Sequence, residues 1–231
     1  MPDDHSNDAA AIAVLAALAA RQHGVVAITQ LGDVAVSRRR FDHLLRRGLF
    51  LRVAPRVFAA AGTPDTWERR LMAGLLGLGP NARISHEAAA CLHDLDRSVK
   101  GAVEFTVPRG HRNAITIGLV HSTSRVRPLD VVTVGAFRVT SATRTIVDLA
   151  RARISRYRLA AAIDSAVRLG LTSPYVLETE LGFLRGPGRW GCRRLDELLV
   201  DSGGHTMLER DFLRLMRRGG LPRPLTQVVH R

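Results

Sequence analysis

Between Ser37 and Arg56 the chain places Arg38, Arg39, Arg40, Arg46, Arg47, Arg52 and Arg56, with Asp42 as the one acid in the interval. Guanidinium groups are suited to phosphate oxygens and to the edges of guanine, because their planar donor forks match both. The spacing within the run is helical: Phe41, Leu44 and Leu45 recur at i, i+3 and i+4 and form an inward stripe. Arg39, His43 and Arg46 then point the other way, flanked by Arg40 and Arg47, with Ser37 placed to cap the helix. Apolar anchors on one side and donors on the other are what a helix lying in a DNA groove requires. Arg39, Arg40 and His43, near the helix start, are the candidates for base edges. Arg46, Arg47, Arg52 and Arg56 suit phosphates better, and Ser37 and Arg38 complete the candidate surface. The competing reading is an Arg-rich helix face that is merely solvated.

Elsewhere the chemistry-bearing residues do not assemble into a reaction. His86 and Glu87 with Cys91 and His93 invite a metal reading, but their spacing matches no usual zinc arrangement, and Cys91 fits the inside of a helix. Asp130, Asp148 and Asp164 are scattered, with nothing to mark two of them as a general acid and base. Arg144 and Asp148, four residues apart on one helix, are expected to form a structural salt bridge. Asp164 is expected to pair with Arg158, Arg168 or a neighbouring helix. Gly74 and Gly77 share a helix and suggest a close packing contact. The glycines of 186–191 are followed by no Lys-Ser/Thr and are interrupted by Trp190, so they do not make a phosphate loop. No catalytic residue, metal site or cofactor is expected.

The elements that must position the basic run can be read around it. Asp8 is a candidate cap for a helix over 9–22 that Gly24 ends, and Thr29 for a short helix over 29–34. Ser37 caps 38–47, closed by Gly48, and 49–60 reads as two strands turning near Ala54-Pro55. Three small helices followed by a hairpin is the winged-helix order. Beyond Pro64 the pattern predicts helices over 67–78 and 85–93, strands over 103–107, 117–121 and 131–139, then helices over 142–151, 158–169, 173–184, 190–200 and 206–218. The expected class is α+β: an N-terminal winged helix-turn-helix over 1–62, an α+β middle domain over 63–202 and a helical C-terminal region.

Composition agrees with a charged partner. The 231 residues are 46% hydrophobic and carry 34 Lys and Arg against 21 Asp and Glu, a formal charge of +13. Such an excess implies a polyanion, either nucleic acid or an anionic membrane surface. Membrane binding is the weaker of the two, because no helix pairs a basic face with exposed bulky aromatics. The Ala-rich stretch over 9–20 is one soluble helix in length and follows Asp3, Asp4 and Asp8 rather than a basic leader. Cys91 and Cys192 stand apart and suggest no disulfide framework, so a reducing cytoplasm is expected.

The segment RQHGVVAITQLGDVAVSRRRFDHLLRRGLFLRVAPRVFAA resembles the N-terminal winged-helix domain of the AbiEi-type antitoxins of type IV toxin–antitoxin systems. The likeness continues through GPNARISHEAAACLHDL, EFTVPRG, FRVTSATRTIVDLA and LAAAIDSAVRLGL, in the order typical of an actinobacterial group of that family, and covers most of residues 20–200. It implies a DNA-binding domain that represses its own operon and a following domain with antitoxin activity. The functional counterpart would be a nucleotidyltransferase-like toxin, opposed without a stable complex. Many members of this group end in a restriction-endonuclease-like domain similar to the very-short-patch-repair nucleases. HTMLERDFLRLMRRGGLPRPLTQVVHR matches its beginning, with Glu209 at the matching position. The later strands that would bring the metal-binding carboxylates do not follow, so 203–231 is expected to be a truncated start of that domain, poorly packed and without nuclease activity. The expected function is therefore a non-catalytic DNA-binding autorepressor and antitoxin. The alternatives are a DNA nuclease or nuclease remnant targeted by the winged helix, and a transcription factor unconnected with a toxin.

Overall fold

The structure, a computed structural model, describes residues 3–111, 115, 117–124, 127–184, 192–200 and 207–222. Its contacts fall into two units: residues up to Ile84 together with Gly101–Val139, and Ser85–Lys100 together with Thr140 onward. The boundary expected after residue 62 lies inside the first unit.

The first unit begins with α1 (Asp3–Ala20), β1 (Val25–Ala27), a 3-10 turn (Ile28–Gln30), α2 (Arg38–Arg46), β2 (Phe50–Ala54) and β3 (Val57–Ala60). Both β1 and β2 pair antiparallel with β3, giving the order β1-β3-β2, and the register shifts between Arg52 and Ala54. Leu15, Val26, Phe41, Leu44, Phe50 and Phe58 form the core under these elements. Phe41 anchors it, edge-on to Phe58 at 5.1 Å and tilted against Phe50 at 5.4 Å. This is the winged helix-turn-helix order with one reduction: the helix expected over 29–34 is a single 3-10 turn. Gly32 and the β-branched Val34 and Val36 disfavour continuing it. Gln30 instead folds its side chain back to accept from the Ala27 amide at 2.9 Å. Gly24, at φ +86°, ends α1; a side chain there would also run into Thr63.

The unit continues with α3 (Trp67–Leu78), capped by Thr66, whose hydroxyl accepts from the Arg69 amide at 3.1 Å. A second sheet follows, built from β4 (Arg83–Ile84), β5 (Glu104–Pro108), β6 (Leu119–Thr123), β7 (Val131–Val134) and β8 (Phe137–Thr140), in the order β6-β5-β4-β8-β7. The single strand expected over 131–139 is thus two strands, broken where Gly135 takes a positive φ. Gly74 of α3 lies directly on the Phe105 ring, the close packing its position suggested.

The second unit is helical: α4 (His86–Leu92), α5 (Ala142–Arg151), α6 (Arg156–Arg168), α7 (Pro174–Leu184), α8 (Cys192–Val200) and α9 (Met207–Arg218). Leu95, Ile146, Leu149, Leu159, Ile163, Leu177, Leu181 and Leu195 fill its core. Ser141 and Ser155 cap α5 and α6 by accepting from the Arg144 and Arg158 amides at 3.3 Å. The second cap sets the start of α6 two residues before the expected one. In α9, Leu213 is buried while Phe212 and Leu215 are exposed. The side chain of Glu209, and residues 223–231, lie outside the described residues. The chain is accordingly α+β.

Candidate nucleic-acid interface

The basic helix forms where its pattern placed it. Ser37 adopts an extended backbone and its hydroxyl accepts from the Arg40 amide at 3.3 Å, which starts α2. Phe41 and Leu44 are fully buried and hold the helix against the core, so the intervening positions face outward. Arg39 and Arg46 are exposed there. Arg38, also exposed, is engaged by Asp42 at 2.9 Å. On the hairpin, the Arg52 guanidinium sits 5.7 Å from the Phe58 ring centre, and exposed Arg56 occupies the turn between β2 and β3 with φ +63°.

Arg40, His43 and Arg47 are differently disposed. All three converge on the carboxylate of Asp8, at 3.7, 3.4 and 3.2 Å. Asp8 is not the cap of α1 but lies inside it. Asp8, Ala11, Leu15 and Ala19 form the buried stripe of that helix, and the Asp8 side chain is 10% exposed. Of the base-edge candidates, Arg39 alone is therefore outside the Asp8 group. Asp8, Ser37, Arg39, Arg40, His43 and Arg46 line an open cleft of about 340 Å³. The lining sets the nearly buried Asp8 carboxylate beside the exposed Arg39 and Arg46. Its place before an apolar run makes Asp8 look like a cap. The signal that corrects this is the spacing of Asp8 from Ala11, Leu15 and Ala19, which puts the acid on the apolar stripe.

Among known proteins, no family model matches the chain, and no curated protein does. A solved structure does resemble it: the crystal structure of the RV2827C protein from Mycobacterium tuberculosis. The two align with a TM-score of 0.56 at 16% identity, over 88% of this chain and 80% of that one. The likeness is one of fold.

The other candidate chemistry resolves into structural contacts. His86 Nδ1 meets the Ser85 hydroxyl at 2.9 Å. Glu87 accepts from the Val99 amide and from Arg158, both at 2.5 Å. His93 donates through Nε2 to the Thr140 carbonyl at 2.7 Å, and burial holds its pKa below the ordinary histidine value, the hydrogen bond offsetting part of that. Burial likewise pushes the Cys91 thiol above its usual range, so it stays a thiol at neutral pH. His86, Glu87, Cys91 and His93 are thus not gathered around one point. Arg144 and Asp148 form the expected pair at 3.0 Å, buried. Arg158 is engaged by Glu87, and Arg168 by Asp96 at 3.2 Å. Asp130 closes a turn, accepting from the Arg127 amide at 2.9 Å.

Proposed function

We propose that this protein binds double-stranded DNA through α2 and the β2–β3 hairpin, represses its own operator, and acts as a non-catalytic antitoxin of the AbiEi type. The carrying observation is α2 itself. A helix pinned by Phe41 and Leu44 presents Arg39 and Arg46 outward, followed at once by a hairpin bearing Arg52 and Arg56. That is the disposition in which a recognition helix enters the major groove while a wing tracks the backbone. The formal charge of +13 supplies the long-range attraction. This reading puts the protein beside DNA in the cytoplasm. No described helix is long and apolar enough to cross a membrane.

The antitoxin part rests on the resemblance of residues 20–200 to that family, and its functional partner is a nucleotidyltransferase-like toxin, opposed without a stable complex. The DNA part is tested by titrating the protein against the duplex upstream of its own gene at several salt concentrations. Arg39→Ala/Arg46→Ala is expected to abolish preference for that duplex and to lower the salt slope by about two, at roughly 0.9 for each phosphate no longer neutralised. Equal binding by the wild type and the double variant would place the DNA surface elsewhere. For the antitoxin part, coexpression with a nucleotidyltransferase-like toxin encoded beside the gene should restore growth; continued arrest would remove that role.

A further inference from the structure

The Asp8 cluster is unusual for a surface meant to attract phosphate: it puts a fixed anion among the cations. Arg40, His43 and Arg47 occupy positions i, i+3 and i+7 of one helix, and all three lie within 3.7 Å of a single carboxylate donated by α1. Asp42, by contrast, meets Arg38 in the open, where a pair can exchange with solvent or with an incoming phosphate at little cost. Asp8 cannot exchange in that way. It lies on the buried stripe of α1, and drawing its cations away would leave a carboxylate that is only 10% exposed without compensation. The cations are therefore held more firmly by Asp8 than a phosphate diester at the surface could hold them.

We propose that Asp8 is an internal counter-anion that withholds Arg40, His43 and Arg47 from polyanions and so limits the phosphate-binding set on this face to Arg38, Arg39, Arg46 and the hairpin arginines. Its biological sense rests on the DNA-binding reading above. Arg38, Arg39, Arg40, His43, Arg46 and Arg47, all acting freely, would grip any duplex; with three of them anchored, contact depends on where the remaining ones fall. The cleft that presents exposed Arg39 and Arg46 is lined by Asp8 as well, so the withheld and the available cations share one surface. Asp8 acts through these side chains as a positioning residue that trades affinity for selectivity.

The test compares Asp8→Asn with Asp33→Asn, which removes one negative charge from an exposed turn of the same unit. Both full-length variants are measured for elution from immobilised heparin and for the salt dependence of duplex DNA binding. Asp8→Asn is expected to elute at higher salt than Asp33→Asn and to steepen the salt slope by about one to two, roughly 0.9 for each of Arg40 and Arg47 released to a phosphate. Coincident elution and slopes for the two variants would overturn the proposal, whatever the change in melting temperature. Should Asp8→Asn fail to melt cooperatively, single variants of neighbouring arginines decide. Arg46→Ala is expected to lower the slope by about 0.9 and Arg47→Ala to leave it within about 0.3 of the wild type. Equal reductions would refute the withholding of Arg47. If the wild type shows no affinity for duplex DNA, the functional reading fails, and the heparin comparison still decides the role of Asp8.

Discussion

Two residue-level contacts have energetic consequences that can be measured. Arg144 and Asp148 are each 4% exposed in the side chain and meet at 3.0 Å within α5. Two buried charges that meet in this way contribute little net stability, yet removing one takes the counter-charge from the other in a medium that solvates it poorly. Asp148→Ala is expected to destabilise the protein by about 3–5 kcal/mol, read from urea unfolding followed by circular dichroism. A loss under about 1 kcal/mol would mean that water or the other contacts of Arg144 compensate its charge once the carboxylate is gone. Gly74 sets two effects against each other. Alanine in a helix gains about 1 kcal/mol over glycine, but here its methyl would enter the ring of Phe105, which is fully buried. Overpacking costs of about 1–3 kcal/mol outweigh the gain, so Gly74→Ala is expected to lower the unfolding midpoint. A raised midpoint would show that the Phe105 ring can move aside.

At the scale of elements, what was legible in the sequence depended on whether local signals decided the outcome. The bounds of α3 and α5 match those the pattern predicts, and Thr66 and Ser141, whose hydroxyls close the first turn, are local signals at their starts. The basic helix α2 is legible for the same reason, through Ser37. The strands β1 and β4 have three and two residues, too few for any alternation to register; they exist because β3 and β5 offer them hydrogen bonds. Contacts between elements distant in sequence are invisible to local patterns, which is why the meeting of Asp8 with α2 was not anticipated. His93 on the end of α4 is a further case. Its ring donates to the carbonyl of Thr140, 47 residues on, and burial lowers its pKa in the folded chain below the unfolded value near 6.5. Above pH 6.5 the ring is neutral in both states and the contribution of this site is complete. As pH falls below that value the unfolded chain takes up a proton that the folded chain refuses, and stability declines until the folded pKa is passed. The wild type is expected to lose more stability between about pH 7 and pH 5 than His93→Gln does. Parallel pH profiles for the two would remove His93 as the cause.

At the scale of the whole molecule, the sequence suggests a winged helix that ends at residue 62, whereas packing ties that segment to α3. Val26 and Phe58 of the first sheet face α1 and α2 within one core. Their neighbours Val25, Val57 and Ala59 point to the opposite face, as alternation along a strand requires, and they too are buried. From later in the chain α3 packs on this sheet, contacting β1, β2 and β3. A three-stranded sheet covered on both sides behaves as part of a sandwiched core rather than as an independent wing. Uncovering Val25 and Val57 alone forfeits about 1.5–3 kcal/mol each, against a total stability for a small domain of about 5–15 kcal/mol. A fragment ending at residue 62 is therefore expected to lack a cooperative thermal transition by circular dichroism, while the full chain shows one. A fragment that melts cooperatively near the full-chain midpoint would establish that α1, α2 and the sheet suffice alone. The expected outcome bears directly on the proposed interface, because α2 is held in place through Phe41 against Phe58, and Phe58 belongs to the strand whose other face α3 covers.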